Sequence, residues 1–229
     1  MIKVVLTDID NTLLDFDKCS EQSIKRACEL TGVTYSHQLF LTFLKINDGL
    51  WSGIEQGTLT KPQLHAVRFH KVFEAADIKG DGDLFEKLYC ENLERSHIKI
   101  EGAEDILKYL HSRYFVAAAS NAAHKQQFYR LKEAGLTDYI DDMFVSTEIG
   151  YEKPTAGFFD ACMEKLNSVK SNIGKSEVII IGDSISADIK GGVNYGIKTC
   201  WFNRKRLTAP TGLDIDYTVE KLEDIKKIL

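Results

Sequence analysis

The chain has 229 residues, 44% hydrophobic and 28% charged, with a formal net charge of −5. That length suits one large domain or a core with an insertion, and the acidic balance argues against a nucleic-acid polymer or a membrane surface as partner, since both call for a basic face. Five cysteines with no CxxC pair argue against a disulfide framework or a structural zinc site and favour a reducing, cytoplasmic compartment; no run approaches the ~18 apolar residues of a membrane span, and no basic-then-apolar leader precedes Ile2.

In chain order, residues 3–7 (KVVLT) are predicted as the first strand, and Asp8 and Asp10 follow at once. Two like charges at about 4 Å cost on the order of 4 kcal/mol at an effective dielectric of about 20, so this pair calls either for a solvated turn or for a bound cation. From residue 15 to 97 the strand signal stops. Helical periodicity covers 20–30, 39–54, 61–76 and 84–95 and predicts an inserted helical bundle. A helix over 103–112 then leads to a strand at 114–119 (YFVAAA), with Ser120 and Asn121 just after it. A helix over 122–135, a strand at 143–146 (MFVS), Lys153 in GYEKP and a helix over 155–168 come next. The strand at 178–181 runs into GDSISAD, which carries Asp183 and Asp188; helices over 185–195 and 221–228 and strands at 198–202 and 217–219 complete the chain.

Strands that are apolar on both faces and alternate with helices predict an α/β fold, a Rossmann-like doubly wound parallel sheet. Its core spans 1–14 and 98–229, and the helical-bundle cap domain spans 15–97. In such a sheet the strand ends lie along one edge, where ligands bind, so Asp8, Asp10, Ser120, Lys153, Asp183 and Asp188 are expected to converge. For a phosphate ester, three carboxylates and a dianion repel one another, and the site would bind poorly unless a divalent cation joins Lys153 in offsetting most of that charge; an oxygen-rich carboxylate site suits Mg²⁺.

These four blocks resemble the four motifs of the haloacid dehalogenase-like hydrolases: DxDxT at Asp8–Thr12, a serine after the second strand at Ser120, the lysine at Lys153, and GDxxxxD from Gly182 through Asp183 to Asp188. The resemblance implies that Asp8 is the nucleophile and forms an aspartyl-phosphate. It implies that Asp10 is the general acid and base, and that Ser120 and Lys153 hold the phosphoryl oxygens. It also implies that Asp8, the carbonyl of Asp10 and Asp183 ligate Mg²⁺, with Asp188 close behind. The stretches INDGLWSGIEQGTLT, SNAAHKQQFYRL, VSTEIGYEKP and TCWFN further resemble the pyrimidine 5′-nucleotidase branch of that superfamily. This implies a nucleoside monophosphate substrate, with Asn121 and Ala122 at the phosphate and Trp51 and Arg68 at the base or sugar. Ala122 stands where that branch commonly has glycine.

The alternatives are a phosphatase for another small metabolite, such as phosphoglycolate or a sugar phosphate, and, from a different class, a signalling or binding module phosphorylated on an aspartate. A monomer or homodimer is expected. Three look-alikes fail on spacing: GKS at 174–176 lacks the first glycine of a P-loop, DIKGDGD at 77–83 lacks the distal glutamate of an EF-hand, and His65 and His70 are five apart without the intervening Glu of HExxH.

Overall fold

The computed structural model describes residues 1–170 and 172–229. Strands form where the sequence is apolar on both faces: β1 (Val4–Thr7), β2 (Phe115–Ser120), β3 (Asp142–Val145), β4 (Val178–Gly182), β5 (Lys198–Phe202) and β6 (Tyr217–Val219). All pair in parallel, in the order β3-β2-β1-β4-β5-β6, which is the doubly wound order with β1 at the centre.

Successive strand residues point to opposite faces, and the two apolar layers follow that alternation. Val5, Val116, Ala118, Ile179 and Ile181 pack on one side with Ile106, Leu107 and Leu110 of α5 (Ala103–His111) and Leu131 of α6 (His124–Glu133). Val4, Leu6, Ala117, Ala119 and Ile180 pack on the other with Phe158, Phe159, Cys162 and Leu166 of α8 (Ala156–Val169). Each fully buried side chain of this size is worth roughly 1.5–3 kcal/mol. A one-residue slip would exchange the two faces, so register, and with it the height at which each strand ends, is fixed by packing.

Two expected helices take tighter or wider turns. The segment expected as one helix over 185–195 begins with a π turn, Ile185–Ile189, and continues as α9 (Lys190–Tyr195). The Ser184 carbonyl accepts from both the Asp188 and Ile189 amides, at 3.0 and 3.1 Å, which widens the turn; such π turns recur at functional sites. The C-terminal segment expected as a helix over 221–228 is a 3₁₀ helix, Leu222–Lys227. A four-residue helix, α7 (Ser146–Ile149), follows β3. Glycine at 192 lets α9 lie against the sheet, because a Cβ there would meet Ile180 Cγ2 at 2.7 Å and Thr199 Cγ2 at 2.8 Å.

The chain divides into two units, Met1–Asp15 with Lys99–Leu229, and Phe16–Ile98. Where the first unit is interrupted, Leu14 forms an antiparallel bridge with Lys99, and the Ile100 amide donates to the Leu13 carbonyl at 2.9 Å. The second unit is four helices, α1 (Phe16–Thr31), α2 (His37–Glu55), α3 (Lys61–Ala75) and α4 (Gly82–Arg95). Ser36, Thr60 and Asp81 cap α2, α3 and α4, the second of these through a reciprocal bond with Gln63; Asp81 thereby gives the DIKGDGD stretch a capping role. An aromatic cluster of Phe43, Phe69, Phe73, Phe85 and Tyr89 fills the interior, with rings as close as 4.6 Å. The ends of this unit also meet, the Ile98 amide donating to Cys19 Sγ at 3.3 Å. No helix among the described residues is long and apolar enough to cross a membrane.

Candidate active site

The β1–α1 connection begins as a tight turn in which the Leu13 and Leu14 amides return to the Ile9 carbonyl at 2.8 and 2.9 Å. Asn11 takes the left-handed conformation, φ +58°, a region asparagine tolerates better than most side chains. Asp8 lies at the start of this turn, its amide bonded to the Ile181 carbonyl of β4 at 2.8 Å. Its carboxylate is buried and accepts from Lys153 Nζ at 2.8 Å. Desolvation dominates and, with the charges of Asp188 and Asp10, outweighs the opposing Lys153 ammonium, pushing the Asp8 carboxyl up to about 7.

Lys153 is buried, and its ammonium has three acceptors: Asp8 Oδ1 at 2.8 Å, Asp188 Oδ1 at 2.6 Å and the Ala119 carbonyl at 2.6 Å. Burial works against its charge, but Asp188 and Asp8 overcome that and hold the ammonium above its ordinary range. The loop that carries it is fixed by Asn121, whose amide accepts from the Lys153 N–H at 2.8 Å and donates to the Lys153 carbonyl at 2.9 Å. Ser146 Oγ donates in turn to the Asn121 carbonyl at 3.0 Å. The Asn121 side chain, expected at the phosphate, is thus committed to the lysine loop. Ser120 Oγ accepts from the Ala122 amide and from Gln127 Nε2, both at 3.1 Å. A hydroxyl accepts twice and donates once, so its O–H is the group that can face an anion.

Asp183 and Asp188 follow β4. The Asp188 carboxylate folds back over the strand end, its Oδ2 accepting from the Ser184 amide at 3.1 Å. It occupies the space in which a Cβ on residue 182 would stand: an added methyl would come within 2.1 Å of Asp188 Oδ2, which is why glycine precedes Asp183. Thr12 Oγ1 accepts from the Asp183 amide at 3.1 Å, and Trp201 Nε1 donates to the Asp183 carbonyl at 3.0 Å. The Asp183 carboxyl is pushed well above the usual range, first by desolvation and then by the charges of Asp8 and Asp188. Asp8, Asp183 and Asp188 each offer an oxygen, all within 4.8 Å of one another. Three hard oxygen donors, one of them an acid already strained by its like-charged neighbours, fit a hard divalent cation.

Asp10 faces a different environment. Arg130 Nη1 donates to its Oδ1 and Gln127 Nε2 to its Oδ2, each at 2.6 Å. Neither donor was expected from the sequence. The signal was present in SNAAHKQQFYRL: Gln127, Arg130 and Leu131 fall on one helical stripe, and polar side chains on a buried stripe require partners.

Trp51 and Arg68 belong to the helical unit. Trp51 is half-buried against Leu50, Ile54 and Leu64. Arg68, expected to reach a substrate's polar edges, lies instead in that unit's interior: it is buried, its Nε and Nη2 donate to Glu86 at 3.0 and 2.5 Å, and its Nη1 donates to Asn47 at 3.0 Å. A buried guanidinium with this donor geometry is held by its carboxylate partner.

The family model for haloacid dehalogenase-like hydrolases matches residues 2–196. The chain is 30% identical to the HAD-hydrolase YfnB of Bacillus subtilis, over 99% of this chain and 95% of that protein. A crystal structure of YfnB bound to magnesium superposes with a TM-score of 0.92, covering 100% of this chain and 98% of that one. Pyrimidine 5′-nucleotidase PynA of Streptococcus pneumoniae is 31% identical (97% and 93% covered), and pyrimidine 5′-nucleotidase YjjG of Escherichia coli 29% identical (98% and 96%). The chain belongs to the haloacid dehalogenase-like hydrolases.

Proposed function

We propose that this chain hydrolyses phosphomonoesters through an aspartyl-phosphate on Asp8, with Mg²⁺ as cofactor and pyrimidine nucleoside 5′-monophosphates as substrates. The observation that carries the reading is the contrast between two aspartates two residues apart. Asp8 is buried against a lysine beside two further carboxylates, whereas Asp10 has its own donors and belongs to a separate hydrogen-bonded group. Environments that separate two carboxyls in this way assign them different roles.

Mg²⁺ would be held by Asp8, Asp183 and the Asp10 carbonyl and would supply neutralising charge at the phosphoryl oxygens. The Asp8 carboxylate attacks phosphorus while the protonated Asp10 carboxyl gives its proton to the departing ester oxygen; an alcohol leaves and the phosphoryl group stays on Asp8. Asp10, now a carboxylate, takes a proton from water as its oxygen attacks the same phosphorus; inorganic phosphate leaves and Asp8 is restored. Ser120 and Lys153 hold the phosphoryl oxygens, and Asp188 keeps the Lys153 ammonium aimed at Asp8. The need for Asp10 in the second step favours a turnover enzyme over a phosphate-storing signalling module. The likeness to PynA and YjjG supports the substrate class, and five free cysteines support a reducing, cytoplasmic setting.

The test is phosphate release from dUMP, AMP, phosphoglycolate and glucose 6-phosphate, with Mg²⁺ and with excess chelator. The expected result is highest kcat/KM for dUMP and none measurable under chelator. Full activity with chelator would overturn the metal assignment, and a tenfold advantage for phosphoglycolate or glucose 6-phosphate would overturn the nucleotide assignment. Gly182→Ala is expected to push the Asp188 carboxylate off Lys153 and to lower kcat/KM by ~10²-fold, the scale of an ångström-sized misplacement. Steady-state kinetics with a crystal structure of the variant check both effects.

A further inference from the structure

Gln127 and Arg130 are polar, almost wholly inaccessible (0% and 1% exposed) and carried on α6. Burying such groups is unfavourable unless their donors find acceptors, and the acceptors here are the proton-transfer aspartate and the phosphate-binding serine. Arg130 Nη1 bonds Asp10 Oδ1 at 2.6 Å and Gln127 Oε1 at 3.1 Å. Gln127 Nε2 bonds Asp10 Oδ2 at 2.6 Å and Ser120 Oγ at 3.1 Å. Asp10, Arg130 and Gln127 thus close a ring, and the second amide hydrogen of Gln127 ties that ring to Ser120. Leu131, the next residue on α6, is anchored in the sheet's apolar layer, so the ring is referred to a rigid element. Asp10 itself sits in a turn beside the left-handed Asn11, where the backbone alone leaves the carboxylate free to rotate. Each oxygen of a carboxylate can accept more than one hydrogen bond, so the ring still leaves Asp10 a lone pair for a leaving oxygen or a water.

We propose that Gln127 and Arg130 are positioning residues for proton transfer: they fix the Asp10 carboxylate in orientation and fix its distance from Ser120, and therefore from the bound phosphoryl group. The proposal rests on the phosphomonoesterase reading. It separates from a purely structural role through the leaving group. A nitrophenolate departs without a proton, whereas a nucleoside alkoxide needs one, so misplacing Asp10 penalises the alkyl ester selectively.

The experiment measures kcat/KM for 4-nitrophenyl phosphate and for dUMP in the wild-type protein, Arg130→Met, Arg130→Lys and Gln127→Met, with Mg²⁺ present. The quantity read is the ratio of the two values, which cancels any shared loss of phosphate binding or of folded protein. The expected result is a fall of ~10²-fold in the dUMP to 4-nitrophenyl phosphate ratio for Arg130→Met, the scale of a general-acid contribution. Gln127→Met should show at least a tenfold fall, and Arg130→Lys should recover part of the loss. Rapid quenching with 4-nitrophenyl phosphate should also show more phosphoenzyme in the variants than in wild type, because water attack uses the same carboxylate. Equal losses on both esters, or no loss, would overturn the proposal. If Arg130→Met does not fold, Gln127→Met decides by the same ratio. A wild-type protein that hydrolyses neither ester refutes the phosphomonoesterase reading instead.

Discussion

Asp8→Asn is expected to lower phosphate release by at least ~10⁴-fold, the scale on which losing a catalytic nucleophile is felt, while making the metal-free protein more stable at pH 8. The amide keeps the size of the side chain and can still accept from Lys153, but it cannot form an acyl-phosphate. It also removes a charge whose burial cost outweighs the Lys153 attraction, as the Asp8 carboxyl at about 7 records. Relief of that cost should raise the melting temperature by ~2–4 °C per kcal/mol recovered in a chain of this size. Phosphate release, acid-stable labelling from radiolabelled substrate and thermal melts check the two halves independently. Substantial turnover in the variant would remove Asp8 from the nucleophile's role, and a lower melting temperature would mean that the Lys153 pair outweighs desolvation.

Lys153→Met carries the largest expected effect on stability. It removes the cation that Asp8 and Asp188 share and leaves three carboxylates within 4.8 Å of one another. Breaking a buried pair by deleting one partner costs about 3–5 kcal/mol, a large share of the roughly 5–15 kcal/mol that holds a typical domain folded. The pH dependence has a definite sign. The Asp8 and Asp183 carboxyls both titrate above the ordinary carboxylate value of 3.8. Between pH ~4 and the Asp8 value of about 7, the folded chain therefore holds protons that the unfolded chain has released. Metal-free stability accordingly declines as pH rises across that window, more steeply in Lys153→Met than in wild type. Under the proposed metal assignment, Mg²⁺ binding to the folded carboxylates alone should oppose the decline by about 2.7 kcal/mol at a hundredfold excess over its dissociation constant. Melts from pH 4 to 8, with and without Mg²⁺, provide the check. A wild-type melting temperature that rises with pH in metal-free buffer would contradict the burial argument.

The sequence revealed what is local and what is repeated. Runs such as VVLT and VIIIG are apolar at every position but Thr7, which marks them as covered strands, and each carried its charged residue directly past its end. Less legible were groups whose meaning depends on partners elsewhere in the chain. Nothing near Arg68 in the sequence announces Glu86, on the next helix, which closes on it. Gln127 and Arg130 look like ordinary helix polarity until Asp10, more than a hundred residues earlier, accepts from both. The π turn at Ile185–Ile189 was hidden for a similar reason. Helical periodicity registers which residues face inward, not the shared Ser184 carbonyl that adds a residue to the turn.

The way the helical unit leaves and rejoins the sheet domain bears on the order in which the chain can fold. Strand β1 pairs with partners that are synthesised much later, Val4 with Phe115 on one side and with Val178 on the other. Bringing the ends of a flexible ~80-residue segment together costs on the order of 4 kcal/mol in chain entropy. The helical unit is one continuous stretch, Phe16–Ile98, with α1 packed on α4 and Ile98 bonded to Cys19. Once folded it presents Asp15 and Lys99 as close neighbours, as the Leu14–Lys99 bridge requires. The loop that β1 must close to reach β2 then shortens from a little over a hundred residues to about 24, and about 1 kcal/mol of that entropic cost has already been met inside the insert. The helical unit thus acts as an entropic staple that favours the first parallel pairing of the sheet.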